Sequence, residues 1–403
     1  MAQKMTPEQV LHTSWDTDTL DTGAIHDELN RLWAEVGGPR HAGQAPGEVV
    51  ADSYIGGGEL MRANTLNLIA VADDEDIVNM IRSTLSQLSD FLPSRTIIFN
   101  TSPEVKRNKT WHVEVQLNES VATGDSPVLR FETITITVDP KMAGYLASLV
   151  SPLLISELPT FLWWPTGDFV GNSLFTDIVE IVDRLVVDSA RLGNDARAIA
   201  QMRTLLDDED DPRLGDFTWI RLQPWRQLIA QFFDPAETQE SLDEIAQLNI
   251  SYAQHREDNG SGFAAALLIV GWLGSRLGWE AIEPFEPRKA GGWTVPLIAR
   301  NKAGKARDIQ VRLTPDFSPH ARFALRNVEI VAVGDHSGVF SITRTDKDDL
   351  ITSSETAHAP YVSRMVYSRR PSTVEMLGDE LQQFSADPVF EDAIRLATRL
   401  LPA

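Results

Sequence analysis

No cysteine occurs anywhere in this sequence, which removes disulfides, thiolate metal sites, cysteine nucleophiles and thiol redox switching from the chain itself. Long apolar runs are also missing. The longest, Phe263 to Leu273, is 11 residues, against the roughly 20 that a membrane-crossing helix needs, so a buried helix is expected there. Positive charge is in deficit: 36 Lys and Arg stand against 58 Asp and Glu, a net charge of −22. That balance argues against general affinity for a nucleic-acid backbone or an anionic membrane. Met1 to Leu11 has no apolar core behind a basic segment, so no secretory signal is expected and a cytoplasmic location is the simplest reading. There is no P-loop pattern, no dinucleotide-binding glycine fingerprint after a strand and no Gly-x-Ser-x-Gly elbow. The eight histidines are scattered, with none three or four residues from another, so neither a metal centre nor a cofactor site is expected.

What is present is enough apolar material, 42% of 403 residues, for two ordinary domains. The spacing predicts an N-terminal helix and linker over 1–58, an α/β domain over 59–206 and an α+β domain over 207–403. Ile25, Leu29, Leu32 and Trp33 form one stripe of a helix over 22–36 that could pack on its own domain or on another chain. Gly56-Gly57-Gly58 ends a Gly/Pro/Ala-rich linker and reads as a turn. The first domain is expected to hold a mostly parallel sheet: strands at 65–71, 95–99, 158–165 and 183–191, helices at 74–92, 142–155, 172–182 and 194–206. The period-two runs 111–117 and 131–138 predict a half-exposed antiparallel pair beside it. In the second domain, strands at 248–253, 295–300, 309–313, 323–333, 338–343 and 362–368 predict an antiparallel sheet. Helices are expected from Pro224 to Asp234, over 263–277 and over the last 30 residues. Gly271 and Gly274 would permit close backbone approach.

Two acidic clusters are candidates for chemistry. Asp73-Asp74-Glu75-Asp76, at a strand-to-helix junction, has the composition of a Mg²⁺ site for a hydrolase or transferase, but helix capping explains it more simply. Asp207 to Asp211 reads as a solvated linker or a docking face for a basic partner. The stretch 217–235 is harder to dismiss. Trp219, Arg221, Trp225 and Arg226, with Trp163 and Trp164, are residue types that anchor interfaces or hold buried carboxylates. Adjacent tryptophans on one strand point to opposite faces, so Trp163 and Trp164 need cover on both. Arg184, Asp188 and Arg191 sit about the second of these strands, and Thr166, Asp168 and Asp188 lie at strand carboxyl ends, where α/β sheets present ligands or partners. These nine residues, Trp163, Trp164, Arg184, Asp188, Arg191, Trp219, Arg221, Trp225 and Arg226, are the candidate partner-binding or bracing set. In the bracing reading, Arg221 or Arg226 pairs with a carboxylate such as Asp188 to clamp two domains. A sugar-phosphate or nucleotide sensor holding its ligand near Arg184, Asp188 and Arg191 is the alternative.

The ordered segments Ala63-Asn64-Thr65-Leu66-Asn67-Leu68, Pro93-Ser94-Arg95, Leu158 to Pro165, Asp183 to Ser189, Trp219 to Asp234 and Ala264 to Trp279 resemble the glucose-6-phosphate dehydrogenase assembly protein OpcA family. The resemblance covers about 60 to 280. It implies a non-enzymatic partner of glucose-6-phosphate dehydrogenase that promotes the active oligomer at the entry to the oxidative pentose phosphate pathway. The dehydrogenase would hold the NADP and do the chemistry. One departure matters: in photosynthetic bacteria the family is associated with thioredoxin control through its own cysteines, and this chain has none.

Overall fold

The computed structural model describes residues 13–18, 21–37, 64–88, 92–102, 111–119, 130–138, 146–165, 167, 169, 171–192, 195–207, 211–254, 262–300, 306–317 and 325–402. The linker at 39–58 with its glycine triplet, Thr166, Asp168, Asp208 to Asp210, and His12, His41, His255 and His320 lie outside these residues. The fold is mixed α/β, as the periodicity requires. It divides into two compact units, 1–163 with 173–183, and 164–172 with 184–403.

In the first unit the elements run β1 (Thr13–Thr17), α1 (Thr22–Gly37), β2 (Leu66–Ala72), α2 (Glu75–Leu88), β3 (Ser94–Asn100), β4 (Trp111–Glu119), β5 (Arg130–Val138), α3 (Leu146–Val150), β6 (Thr160–Trp164) and α4 (Ser173–Val179). The strands lie in the order β1-β4-β5-β3-β2-β6. β5, β3, β2 and β6 are parallel, while β4 is antiparallel to both β1 and β5. β1 was not anticipated, because a five-residue run with a single aromatic carries little apolar signal. β2 and β3 are buried throughout, as parallel strands covered on both faces must be. α1 buries Ile25, Leu29 and Leu32 completely and packs on β4, so its stripe serves its own unit.

The half-exposed reading fails for β5. Glu132, Thr133 and Thr135 are buried with the isoleucines between them. Their polar atoms find partners inside: Glu132 accepts from Arg95 at 2.6 Å and from the Trp33 indole at 2.6 Å, and Thr135 accepts from Arg82 at 3.2 Å. Alternation marks polarity, and polarity is compatible with burial once hydrogen bonds are supplied. Arg95 also donates to the Leu153 carbonyl.

The second unit begins with β7 (Arg184–Val187) and a 3₁₀ turn at Ser189–Arg191. It continues through α5 (Asp195–Thr204), β8 (Arg213–Asp216), α6 (Phe217–Arg221), α7 (Gln223–Phe232), α8 (Ala236–Gln239), β9 (Ile245–Ala253) and α9 (Phe263–Leu277). Next come β10 (Glu280–Ala281), β11 (Glu286–Pro287), β12 (Trp293–Arg300), β13 (Ala306–Asp316), β14 (Leu325–Ala332), β15 (Gly338–Arg344), β16 (Leu350–Thr356) and β17 (Ala359–Val366). α10 (Thr373–Leu381) and α11 (Pro388–Arg399) close the unit. β7 and β8 pair in parallel. The larger sheet is ordered β10-β12-β13-β9-β14-β15-β16-β17, with β11 on β12.

That sheet is antiparallel as expected except at β9 and β13, which run parallel. A parallel pair needs a crossover, and the chain from β9 to β13 supplies one through α9. The helix has Gly278 at its end in the left-handed region, φ 65°, which glycine adopts without steric cost. Its middle glycine is there for packing. A Cβ on Gly271 would stand 2.1 Å from the Ala393 carbonyl oxygen of α11, so the backbones of α9 and α11 come into direct contact there.

Candidate functional site

The parallel register pairs Val187 of β7 with Asp216 of β8, so the carboxyl ends of these strands lie side by side. Two buried carboxylates are therefore brought together, Asp216 at the end of β8 and Asp188 one residue beyond β7. Asp216 caps α6, accepting from the Thr218 N–H at 3.0 Å, and also accepts from the N–H and hydroxyl of Ser189 at 2.9 and 2.7 Å. Burial pushes its carboxyl up to about 7, Asp188 adding to the rise while the Ser189 and Thr218 hydrogen bonds oppose it.

Asp188 takes a different partner. Arg221, at the end of α6, reaches back and donates from both terminal nitrogens to its two oxygens at 2.7 Å each. Arg191, on the 3₁₀ turn, approaches the same carboxylate at 3.4 Å. Burial opposes the Arg221 charge, and Asp188 more than offsets it, leaving the guanidinium raised. The anticipated Arg221–Asp188 pair is thus present, inside a single compact unit.

Arg226 does something else. Its guanidinium carbon lies 3.4 Å from the centroid of the Trp219 ring, and Nη2 donates to the Trp219 carbonyl at 3.3 Å. Burial lowers its pKa to about 10, with Asp387 pulling the other way. The Trp219 N–H donates to Asp387 at 2.8 Å, and Asp387 in turn caps α11 through the Val389 and Phe390 N–H groups. Trp225 is 1% exposed and carries Arg344 over its ring at 5.4 Å.

Arg184 is separated from Asp188 and Arg191 by the length of its strand. It donates to Glu380 at 3.0 and 2.5 Å and to the Ser385 carbonyl. Gly215 leaves room for that pair, since a Cβ there would meet Glu380 Oε2 at 2.0 Å. Trp163, Trp164, Trp219 and Trp225 are all buried, as are Arg184 and Asp188, so none of these offers surface in this conformation. The exposed acidic run at 73–76 caps α2: Asp74 accepts from the Ile77 N–H at 2.7 Å, and Glu75 accepts from Asn100. Among the described residues no group of three acidic or histidine side chains is placed to hold a metal, and no helix is long and apolar enough to cross a membrane.

Beside this cluster lies a pocket of about 280 Å³ whose walls include Arg191, Arg221 and three arginines that sequence reasoning passed over, Arg344, Arg369 and Arg370. Arg369-Arg370, one proline ahead of the helix-capping Ser372, was a legible signal; Arg344, the last residue of β15, was not. Elsewhere on the unit, β17 ends the large sheet with its side chains largely in water. Tyr361 and Met365 on this strand and Tyr367 just past its end are 63%, 56% and 85% exposed.

The chain is therefore a two-unit mixed α/β protein with a carboxylate-tied arginine cluster and an exposed aromatic edge. Two domain families described for a glucose-6-phosphate dehydrogenase subunit match it, the N-terminal domain over residues 86–204 and the C-terminal domain over 212–394. The chain belongs to the OpcA family of glucose-6-phosphate dehydrogenase assembly proteins. It is 28% identical over 160 residues to a Synechocystis sp. protein named OxPP cycle protein OpcA, covering 40% of this chain and 32% of that one. A Nostoc punctiforme protein of the same name is 30% identical over 157 residues, 39% of this chain and 32% of the relative. The matched stretch is thus about a third of the length of these curated relatives. Among solved structures, the transcriptional regulator Gal80p from Kluyveromyces lactis aligns with a TM-score of 0.45 at 10% identity, covering 84% of this chain and 91% of that one. An oxidoreductase from Sinorhizobium meliloti aligns at 0.45 and 12%, covering 83% and 95%.

Proposed function

We propose that this chain is a non-catalytic partner of glucose-6-phosphate dehydrogenase that binds the enzyme and promotes its active oligomer. Membership of the OpcA family carries the reading. An activator must bind the active conformation more tightly than the inactive one, and a tenfold shift in population needs about 1.4 kcal/mol of differential affinity. A net charge of −22 would speed encounter with a basic patch on the enzyme.

The contact surface in this proposal is the solvent face of β17. Tyr361 and Met365 stand exposed on the strand with Tyr367 just past its end, and Ile351 of β16 lies directly opposite Met365. Exposed aromatic and Met side chains on a sheet edge are costly to leave in water, and such patches mark interaction surfaces. In this reading the buried set at Trp164, Arg184, Asp188, Trp219, Trp225 and Arg226 braces the unit that presents the edge and does not touch the partner, while Trp163 lies in the core of the other unit.

The test is to purify the chain with the dehydrogenase of its own organism. NADP reduction is followed against glucose 6-phosphate, and the mixture is sized by light scattering. A larger complex with lowered KM or raised kcat is expected, and the Tyr361→Ser/Met365→Ser/Tyr367→Ser protein, still folded by circular dichroism, should lose both. Unchanged kinetics and no complex over a wide concentration range would reject the reading.

A further inference from the structure

The arginine pocket asks for an anion. Arg221 and Arg191 share one carboxylate, Asp188, and Arg344 and Arg370 share another, Asp348, at 3.6 and 2.7 Å. No carboxylate is among the described residues that line the cavity. A guanidinium carries five N–H donors, and the bidentate bond to Asp188 engages one on each terminal nitrogen of Arg221. The other three N–H donors of Arg221 are not engaged by that bidentate bond, and the residue lines the cavity. Arg344 stands in the most unfavourable position of the five. Burial, and then the like charge of Arg370, lower its pKa to about 10 against the pull of Asp348, so an anion in the pocket would offset both effects.

The rest of the lining suits a small organic ligand. Thr218, Ser368 and Thr373 supply hydroxyls, and Leu222, Trp225 and Met376 supply apolar wall. The α10 N-terminus, where Ser372 and Thr373 line the wall, is already capped by Ser372 and Glu375. Charge comes entirely from arginine, whose planar fork matches the oxygens of a phosphate. At about 280 Å³ the cavity falls just below the usual ligand-pocket range of roughly 300 to 1,000 Å³, which favours a monophosphate over a dinucleotide.

We propose that this pocket binds a small phosphomonoester, its phosphate held by Arg221, Arg344 and Arg370 and its uncharged part lying against Trp225 and Met376. Arg369, 77% exposed, stands at the rim. Arg184, paired with Glu380, is no part of the site, so the ligand lies at the strand ends of Asp188 and Asp216 and extends toward the β15–β16 turn. The site goes beyond the partner reading and does not require the dehydrogenase.

The experiment uses the full chain alone, at matched ionic strength, in thermal unfolding and titration calorimetry. Probes are a hexose 6-phosphate, a pentose 5-phosphate, a three-carbon phosphate ester, the unphosphorylated hexose, inorganic phosphate and sulfate. At least one ester should bind saturably, raise the melting temperature and bind tighter than inorganic phosphate, while the free hexose does nothing. Arg370→Gln, at a half-exposed position, should fold normally and weaken that ester about tenfold or more, the usual worth of a hydrogen bond to a charged group. Arg344→Gln should do the same, and Arg370→Lys should restore binding only in part. Failure of every ester to bind, equal response to sulfate and inorganic phosphate, or undiminished affinity in Arg370→Gln would each overturn the proposal. None of these results bears on whether the dehydrogenase complex forms.

Discussion

The Arg226 guanidinium carbon lies over the indole of Trp219, 3.4 Å from its centroid, while the same indole donates to Asp387 at the start of α11. One tryptophan thereby ties α6 and α7 to the C-terminal helix, with Phe390 packed 5.2 Å from its ring. Trp219→Ala should cost about 3–5 kcal/mol, the range for emptying a buried aromatic site. Trp219→Phe, which keeps a ring but leaves Asp387 without this donor, should cost about 1–2 kcal/mol. Urea unfolding separates the two. Near-equal midpoints for Trp219→Ala and wild type would mean that the stack carries no stability.

The Arg221–Asp188 pair predicts an asymmetry. Asp188→Asn leaves a partly buried guanidinium without its carboxylate and should destabilise by about 2–4 kcal/mol, somewhat under the roughly 3–5 kcal/mol of a fully buried pair because Arg221 keeps some contact with water. Adding Arg221→Met should recover part of the loss. Losses that simply add in the double variant would argue against direct coupling.

Asp216 should make stability fall as pH rises. Its folded pKa of about 7 lies above the ordinary 3.8, so between about pH 4 and 7 the folded state keeps a proton that the unfolded chain has released. The stabilising contribution is complete below about pH 4 and is lost as pH passes 7. A shift of this size corresponds to something on the order of 4 kcal/mol. Asp216→Asn can still accept from Ser189 and Thr218 and can donate to the Ser189 hydroxyl, so its unfolding free energy should lack this slope. Parallel pH profiles for wild type and variant would exclude Asp216 as the source.

Gly271→Ala tests the helix contact. A methyl group would stand 2.1 Å from a backbone oxygen of α11, an atom that cannot swing away as a side chain can. Intrinsic helix propensity favours alanine by about 1 kcal/mol, yet overpacking of about 1–3 kcal/mol should prevail and lower the melting temperature. A more stable Gly271→Ala protein would show that α9 and α11 can separate freely.

Much of this fold was legible before the structure. α9 has the bounds that its apolar run announces, Phe263–Leu277, and α7 holds Pro224 in its first turn. β2, β3 and β6 begin and end within two residues of their apolar runs. Short or polar elements escaped: β1, β8 and β16 were not anticipated, and the expected helix over 142–155 gives way after α3 to a 3₁₀ turn at Ser151–Leu153, its first residues, 142–145, lying outside the described ones. In such segments neighbours supply the hydrogen bonds and burial that composition does not advertise, as β5 also illustrates.

The candidate residues divide the same way. Sequence alone determined that the chain is acidic, cysteine-free and α/β, that Trp219, Arg221, Trp225 and Arg226 crowd one short stretch, and that its ordered segments resemble one family. These are properties of composition and local pattern, which survive without knowledge of contacts. Only the tertiary structure decided that Arg221 faces Asp188, that Arg184 turns away to Glu380, 196 residues along the chain, and that Arg344, Arg369 and Arg370 join Arg191 and Arg221 around one cavity. Partner choice among charged side chains depends on distance and burial, and both are set by how the strands and helices close on one another.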